Sequence, residues 1–146
     1  FKDKYDLVNW IFCSEFIDRA RAHRGAKEWR LMQALCEYLD ANRAFYHRVF
    51  AAEGQNCFTE YFSEFVASVI SEEVKKMFAD QNEEDMAFYI GFYTDAFVMS
   101  IRKWILKQED ISSRRFIHLL RTGLIHTSLA VLQRLPRGNE QQEENV

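Results

Sequence analysis

The segment EEDMAFYIGFYTDAFVMSIRKWILK, residues 83–107, decides the fold class because it is one long amphipathic pattern. Its apolar residues recur three and four positions apart, which predicts a helix. One apolar stripe consists of Met86, Ile90, Tyr93, Phe97, Ile101 and Trp104. The opposite side carries a second stripe of Phe88, Phe92 and Met99, with Asp95 and Arg102 among them. A helix with two apolar sides has to be covered on both.

The next predicted helix repeats this two-sided pattern. It begins after Ser112, a candidate N-cap, and ends before Pro136. One stripe is Phe116, Ile117, Leu120, Leu124 and Val131; the other is Ile125, Leu129 and Leu132, with His118 and Thr122 beside them. Because a small domain has few layers, we predict that the second side of each helix meets another copy of the chain. The two copies would form a four-helix bundle around a two-fold axis.

The predicted dimer interface therefore combines the second stripes of the last two helices. Its candidate residues are Phe88, Phe92, Asp95, Met99, Arg102, His118, Thr122, Ile125, Leu129 and Leu132. Asp95 and Arg102 lie two turns apart, too far to pair along one helix. In an antiparallel arrangement, Asp95 of each chain is expected to meet Arg102 of the other chain. The alternative is that both helices lie centrally in a monomer.

Four further helices are predicted upstream. They run from about Lys4 to His23, Ala26 to Leu39, Asn42 to Ala52 and Phe58 to Phe78. Gly25 is placed to end the first, Asn42 to cap the third, and Asn82 to cap the fifth, whose first turn is acidic. With one Pro and five Gly, the chain is predicted to be an all-α, six-helix orthogonal/antiparallel bundle. Residues 1–135 form one domain, and the polar tail 136–146 is predicted to be disordered.

Thirteen Phe among 146 residues predict an aromatic-rich interior. Inner faces are expected from Phe58, Phe62, Phe65 and Val69 on the fourth helix and from Met32, Leu35, Cys36 and Leu39 on the second. Such rings either fill a core or line a ligand cavity, and the sequence leaves both open. The candidate lining residues for an effector pocket are Phe12, Phe16, Met32, Leu39, Phe62, Phe65, Tyr89 and Tyr93, the last as a hydroxyl donor.

Composition and motifs exclude several classes of function. The net charge of -3 gives no overall attraction to nucleic acid. Three cysteines without a CxxC pair predict reduced thiols and a cytoplasmic protein, and no apolar run approaches the ~18 residues that span a membrane. No zinc, di-iron, phosphate-loop, dinucleotide or hydrolase motif is found. We therefore predict no metal, no cofactor and no enzymatic activity.

Several stretches together resemble the TetR family of transcriptional regulators. FKDKYDL places Phe1, Lys4 and Leu7 as at the junction between the family's recognition helix and its long linking helix, which VNWIF continues. LDANRAFYHRVF and CFTEYFSEFV resemble the middle of one class of TetR C-terminal domains. YIGFYTDAFVMSIRKWILKQEDISSRRFIHLL resembles its late part, through Tyr89, Gly91, Tyr93, Arg102, Lys103 and Trp104. The resemblance covers nearly the whole chain up to the tail.

The resemblance implies a regulatory domain that dimerises through its last two helices and often encloses an effector pocket. It implies that a DNA-binding helix-turn-helix precedes Phe1, with residues 1–7 as the seam. DNA would then be bound only through that domain, and Lys2 and Lys4 would contact phosphate in the longer protein. An effector would act by favouring one of two arrangements of the linking helix.

Three functions compete at this point. The leading hypothesis is an effector-sensing, dimerising regulatory domain. The second is an interaction module with a filled core, which dimerises or binds a protein without a small-molecule effector. The third hypothesis is a helical enzyme, but the chain contains none of the catalytic motifs named above.

Overall fold

The computed structural model of the chain describes residues 2–22, 28–52, 57–107 and 110–134. Its helices are α1 (Lys4–Phe12), a π-helical turn (Cys13–Ile17), α2 (Asp18–Ala22), α3 (Glu28–Ala41), α4 (Arg43–Ala51), α5 (Cys57–Met77), α6 (Glu83–Lys107) and α7 (Ser113–Arg134). Throughout these ranges the chain forms helices and short connections, without a strand. The all-α prediction is confirmed.

All six predicted helices are present. The first of them is interrupted by the π-helical turn, so that α1, this turn and α2 together occupy its place. The other five correspond to α3 through α7 within a few residues at each end. Gly25, Pro136 and the predicted polar tail lie outside the described residues.

Capping side chains explain where several helices begin. Asn82 accepts a hydrogen bond from the Asp85 backbone N–H at 2.9 Å, and Ser112 accepts one from Arg115 at 3.2 Å, which confirms both predicted caps. Asn42 occupies the N-cap position of α4, as predicted, but its side chain makes no capping hydrogen bond there. Its side-chain amide donates instead to the Tyr38 carbonyl oxygen at 2.9 Å, which also accepts the Asn42 backbone N–H at 3.1 Å.

The core is built around Phe12, which is completely buried. Seven aromatic rings have centroids between 5.5 and 6.4 Å from the ring of Phe12. They belong to Phe16, Tyr38, Tyr46, Phe58, Tyr61, Phe62 and Phe65. Most of these pairs are edge-to-face, the geometry that aromatic quadrupoles favour. Rings from α1, α3, α4 and α5 therefore converge on one point.

Helix α6 packs against α5 and α4, while α7 packs against α3. Phe97, Ile101 and Trp104 of its first stripe are buried, and Met86, Ile90 and Tyr93 are half-buried against the same core. The indole of Trp104 stacks on Phe116 with centroids 4.4 Å apart and donates to the Ile111 carbonyl oxygen at 2.9 Å. These contacts fix the connection from α6 to α7.

Candidate functional site

A cleft of about 400 Å³ lies beside the aromatic core. It is lined by Ile17, Ala20, Arg21, Leu31, Tyr61, Glu64, Phe65 and Ser68. These residues come from the end of the π-helical turn, from α2, from the first half of α3 and from α5. Volumes of this size are typical of small-molecule sites.

The cleft has an apolar floor and a polar rim. Ile17 is buried, and Leu31 and Phe65 are half-buried against the core. Arg21 and Glu64, of opposite charge, are exposed at its edge together with the hydroxyl of Ser68. An apolar surface with a few polar groups at one side is the arrangement that binds and orients amphipathic small molecules.

Tyr61 supplies a neutral hydroxyl to this cleft. Its oxygen lies 2.6 Å from the sulfur of Cys13, at the start of the π-helical turn. Burial raises the pKa of Tyr61 to about 12, and the hydrogen bond with Cys13 acts in the same direction. Tyr61 therefore keeps its proton at neutral pH and remains able to donate or accept a hydrogen bond.

The π-helical turn brings Ile17 into the cleft. The Asp18 backbone N–H donates to the Cys13 carbonyl oxygen, five residues earlier, so this turn contains one residue more than an α-helical turn. The wider turn lets Phe12, Phe16 and Ile17 all point inward and be buried. Sequence reasoning missed this feature, although the apolar residues on two sides of the first helix were its signal. Turns of this kind are frequent at functional sites.

Most of the residues predicted to line an effector pocket lie elsewhere. Phe12, Phe16, Met32, Leu39 and Phe62 are buried within the packed core. Among the ring contacts of the described residues, Tyr89 and Tyr93 meet Phe78 and not the cluster around Phe12. Phe65 is the one of the eight candidates that lines the cleft. Seven of the eight candidates therefore lie away from this cleft, and the pocket that they were predicted to line stays a prediction.

The outer side of α6 exposes three large apolar side chains. Phe88 is 68% exposed, Phe92 58% and Met99 46%. The rings of Phe88 and Phe92 stack with centroids 6.4 Å apart, and the exposed Asp95 lies between them and Met99. We call Phe88, Phe92 and Met99 the outer stripe. It is the second stripe of the sequence pattern, and no other part of the described chain covers it.

Comparison with protein-family models matches residues 27–125 to a family of TetR-type proteins described as the transcriptional regulator C-terminal region. This match covers more than half of the chain and includes α3 to α6 and most of the cleft. The chain belongs to this family. It is the regulatory domain of a transcriptional regulator, and such domains are generally not enzymes. No curated protein and no solved structure shows a significant match.

In this TetR-type domain, Arg102 is engaged within its own chain. Its Nε and Nη2 atoms donate to the Phe50 carbonyl oxygen at the end of α4, at 3.2 and 3.1 Å. The sequence-based pairing of Asp95 with the partner's Arg102 stays a prediction. In such a dimer, the Arg102 guanidinium would bind both the Asp95 carboxylate and the Phe50 carbonyl oxygen.

The part of α7 predicted to face a partner is only partly described. His118 is exposed and Thr122 is half-buried, whereas Ile125, Leu129 and Leu132 lie outside the described side chains. Leu119, which was not predicted at an interface, is 43% exposed. Sequence patterning missed Leu119 because it lies between the two apolar stripes of this helix.

The two lysines predicted to contact phosphate lie at the start of α1. Both are exposed. The Lys2 backbone N–H donates to Asp6 at 3.0 Å, and the Lys4 ammonium lies 5.1 Å from the ring centroid of Tyr5. Asp3 caps the helix there by accepting hydrogen bonds from Tyr5 and Asp6 at 2.8 and 3.0 Å. The start of α1 is thus a defined helix end with both lysines accessible.

The described part of the domain contains neither a candidate metal site nor a candidate membrane span. Within the described ranges, no three His, Cys, Asp or Glu side chains are grouped so that they could hold a metal ion. None of the described helices is both long enough and apolar enough to cross a bilayer.

Proposed function

We propose that this TetR-type domain is the dimerising and effector-responsive part of a DNA-binding regulator that works in the cytoplasm. Its DNA contacts would be made by a separate N-terminal domain, with Lys2 and Lys4 reaching phosphate beside it. The observation that carries the proposal is the exposed outer stripe on a helix whose opposite side belongs to the core. The effector part rests on the cleft and on its contact with the π-helical turn.

Dimerisation would cover the outer stripe. Aligned exposed side chains as large as Phe88, Phe92 and Met99 mark interaction surfaces on soluble proteins. A two-fold axis lets this stripe contact itself, which is the usual arrangement in homodimers. The outer face of α7, with His118 and Leu119, is placed to extend the same interface.

Sedimentation analysis of two variants tests the dimer. Phe92→Glu places a charge within the interface, so we expect a dissociation constant raised at least 100-fold and a monomer at micromolar concentration. Phe45→Glu is the matched control, because Phe45 is also exposed but lies on α4. A native chain that stays monomeric at all concentrations, or equal effects of both variants, would refute the proposed interface.

The effector would be a small amphipathic molecule bound in the cleft. Its apolar part would lie on Ile17 and Phe65, and its polar group would be oriented by Arg21, Glu64 and the Tyr61 hydroxyl. Because Ile17 ends the π-helical turn, occupancy of the cleft would favour one arrangement of this turn and hence of α1. Since α1 begins at the predicted seam, its position would set the spacing of two DNA-binding domains.

A thermal-shift screen with small aromatic and aliphatic acids and amines tests the cleft. A compound at 100 times its dissociation constant adds about 2.7 kcal/mol to stability. Ala20→Trp fills the cleft and should abolish the shift, whereas Ala44→Trp, at an exposed position on α4, should retain it. An equal shift in both variants would show that the compound binds elsewhere.

The structure also supports a second candidate function, an interaction module without a small-molecule effector. The observation in its favour is the complete burial of Phe12 among seven rings, since the sequence left open whether such rings fill a core or line a cavity. Such a module would dimerise as proposed and show no saturable stabilisation in the screen. A compound whose effect is lost in Ala20→Trp would exclude it.

A further inference from the structure

The cleft lies between two helical walls of different chemistry. One wall is the face of α2 that carries Ala20 and Arg21, and the other is the face of α5 that carries Tyr61, Glu64 and Ser68. The three α5 residues are spaced three and four positions apart, so their side chains lie on one side of this helix. The same cleft thus has a guanidinium on one wall and a carboxylate between two hydroxyls on the other.

The two opposite charges of the cleft are not bound to each other. Within the described part of the chain, neither the Arg21 nor the Glu64 side chain forms an ion pair, although both line the same cleft. Asp18, three residues before Arg21 on α2, does not pair with it either. The donors of the guanidinium and the acceptors of the carboxylate are therefore both open to a ligand.

The oxygens of the α5 wall are arranged to accept hydrogen bonds. The Ser68 hydroxyl donates its proton to the Phe65 carbonyl oxygen at 2.6 Å, so it offers only its lone pairs to the cleft. The exposed Glu64 carboxylate accepts and does not donate. The neutral Tyr61 hydroxyl adds a further oxygen on the same wall. A primary ammonium group, with three N–H donors, matches this set of acceptors.

The α2 wall supplies the complementary donors. The Arg21 guanidinium is planar and can bind both oxygens of a carboxylate at once. Its charge also acts on the opposite wall: burial raises the pKa of Tyr61, whereas the positive charge of Arg21 lowers it. The guanidinium is thus within electrostatic reach of the Tyr61 hydroxyl, and one small molecule in the cleft can contact both walls.

We propose that the effector of this cleft is a zwitterion with an apolar side chain, namely an apolar amino acid or a short apolar peptide. This inference rests on the proposed effector site and adds the chemical class of its ligand. The carboxylate of the ligand binds Arg21 on the α2 wall. Its ammonium binds Glu64 and the two hydroxyls of the α5 wall. Its side chain lies on the apolar floor formed by Ile17, Leu31 and Phe65.

Ligands with a single charge match only one of the two walls. An aliphatic or aromatic acid would bind Arg21 but bring a second negative charge near Glu64, and an amine would bind Glu64 but bring a second positive charge near Arg21. A neutral ligand would use neither charge. A zwitterion satisfies both walls at once, and the like-charge contacts that each singly charged ligand makes disfavour the alternatives.

Three ligands that share one ring and differ in charge test the ligand class. Phenylalanine carries both charges, phenethylamine lacks the carboxylate, and 3-phenylpropionate lacks the ammonium. In titrations of the native chain followed by NMR, we expect phenylalanine to bind about fivefold more tightly than either analogue. The dipeptide phenylalanylphenylalanine is titrated in parallel, and the tighter of the two zwitterions distinguishes a peptide from a free amino acid.

Variants that remove one charge assign each group of the ligand to its wall. Arg21→Gln should weaken phenylalanine binding about fivefold and leave phenethylamine no weaker, because the amine has no carboxylate. Glu64→Gln should weaken phenylalanine binding by a similar factor and leave 3-phenylpropionate no weaker. Arg30→Gln and Glu60→Gln are the matched controls, because both residues are exposed on α3 and α5 without lining the cleft. They should leave all three affinities unchanged.

The outcomes separate the ligand class from the site on which it rests. Equal affinities of the three ligands for the native chain, or equal losses of all three in Arg21→Gln, overturn the zwitterion. Phenylalanine binding that persists in Ala20→Trp lies outside the cleft and also overturns it. If neither zwitterion binds but another compound of the screen loses its effect in Ala20→Trp, the ligand class is refuted and the effector site stands. If no compound binds, both are refuted.

Discussion

The guanidinium of Arg43 lies over the indole of Trp104, 4.7 Å from its ring centroid, although 61 residues separate them in the chain. Its Nη1 donates to the Trp104 carbonyl oxygen at 2.8 Å and to that of Ile105 at 3.4 Å. Both carbonyls belong to the end of α6, where helical acceptors are unpaired and a positive charge is favourable. Asp40 accepts from Arg43 Nε at 3.0 Å and orients the group. One side chain at the start of α4 therefore satisfies two carbonyl acceptors at the C-terminal end of α6.

Replacing Arg43 should destabilise the domain. Arg43→Ala removes charge-assisted hydrogen bonds and a cation–π contact in a partly buried setting, so we expect a loss of about 2 kcal/mol in unfolding free energy. Urea denaturation followed by circular dichroism measures it. Arg30→Ala, at an exposed position on α3, should change stability by less than about 0.5 kcal/mol. Equal losses in the two variants would show that general charge, rather than this contact, matters.

The contact between Arg43 and Trp104 also shows a limit of prediction from sequence, because it joins residues that are far apart in the chain. The stripe from Met86 to Trp104 could be predicted because helical periodicity is local. The caps at Asn82 and Ser112 were predictable for the same reason, since each acts within three residues. Asn42 was predicted correctly at the N-cap position of α4, but its side-chain amide bonds to α3, a contact that depends on how the two helices meet.

The residues that line the cleft could be predicted less well than the helices. Phe65 was expected at a site because it belongs to a visible stripe, whereas Arg21 and Glu64 come from different helices and carry no local pattern. Their proximity depends on how α2 and α5 pack, and on the extra residue in the π-helical turn that turns Ile17 inward. The eight predicted pocket residues share apolar character, and apolar character alone does not separate a filled core from a cavity wall.

Truncating the central ring of the core tests how tightly it is filled. Phe12→Ala removes a fully buried ring from among seven neighbours, so we expect a loss of about 3–5 kcal/mol. The reason is that lost burial adds to the cost of a cavity that the surrounding rings cannot close. Phe45→Ala, at a partly exposed ring, should cost about 1 kcal/mol. A loss below about 2 kcal/mol at Phe12 would contradict a densely packed core.

Alkaline pH should destabilise the domain through its buried hydroxyl and thiol groups. Burial raises the pKa of Tyr46 well above its usual range, and the hydrogen bond with Tyr38 adds to this. Burial likewise raises the pKa of Cys36 to about 12, with Glu37 and Asp40 acting in the same direction. The folded chain therefore keeps protons that the unfolded chain releases above about pH 9–10. Stability should be unaffected by these groups below pH 8 and fall as the pH rises toward 12.

Tyr46→Phe isolates one of these groups. The variant lacks the hydroxyl that titrates in the unfolded chain, so between pH 8 and pH 10.5 it should lose about 0.8 kcal/mol less stability than the native chain. Urea denaturation at the two pH values provides the comparison. Tyr5→Phe, at the start of α1, removes a hydroxyl outside the core and is the matched control for the substitution itself. Parallel pH dependences of the native chain and Tyr46→Phe would show that the hydroxyl is not protected by folding.

Two helical glycines offer a comparison between the outer side of α6 and that of α7. Gly91 and Gly123 are both exposed, and a Cβ built at either has no atom within 4 Å. Within one chain, Gly→Ala at each site should add about 0.5–1 kcal/mol, because alanine restricts the unfolded backbone and favours helix. Gly91 borders the outer stripe, beside Phe92, and the proposed dimer would bring a partner close to it. We expect the gain at Gly91 to persist in the dimer, because at 100° per residue Gly91 lies at the margin of the outer stripe and not on its centre line. Denaturation of both variants in the monomeric Phe92→Glu background separates the helix effect from the interface effect. A gain at Gly91 in that background, together with weaker dimerisation in the native one, would place Gly91 inside the interface and not at its margin.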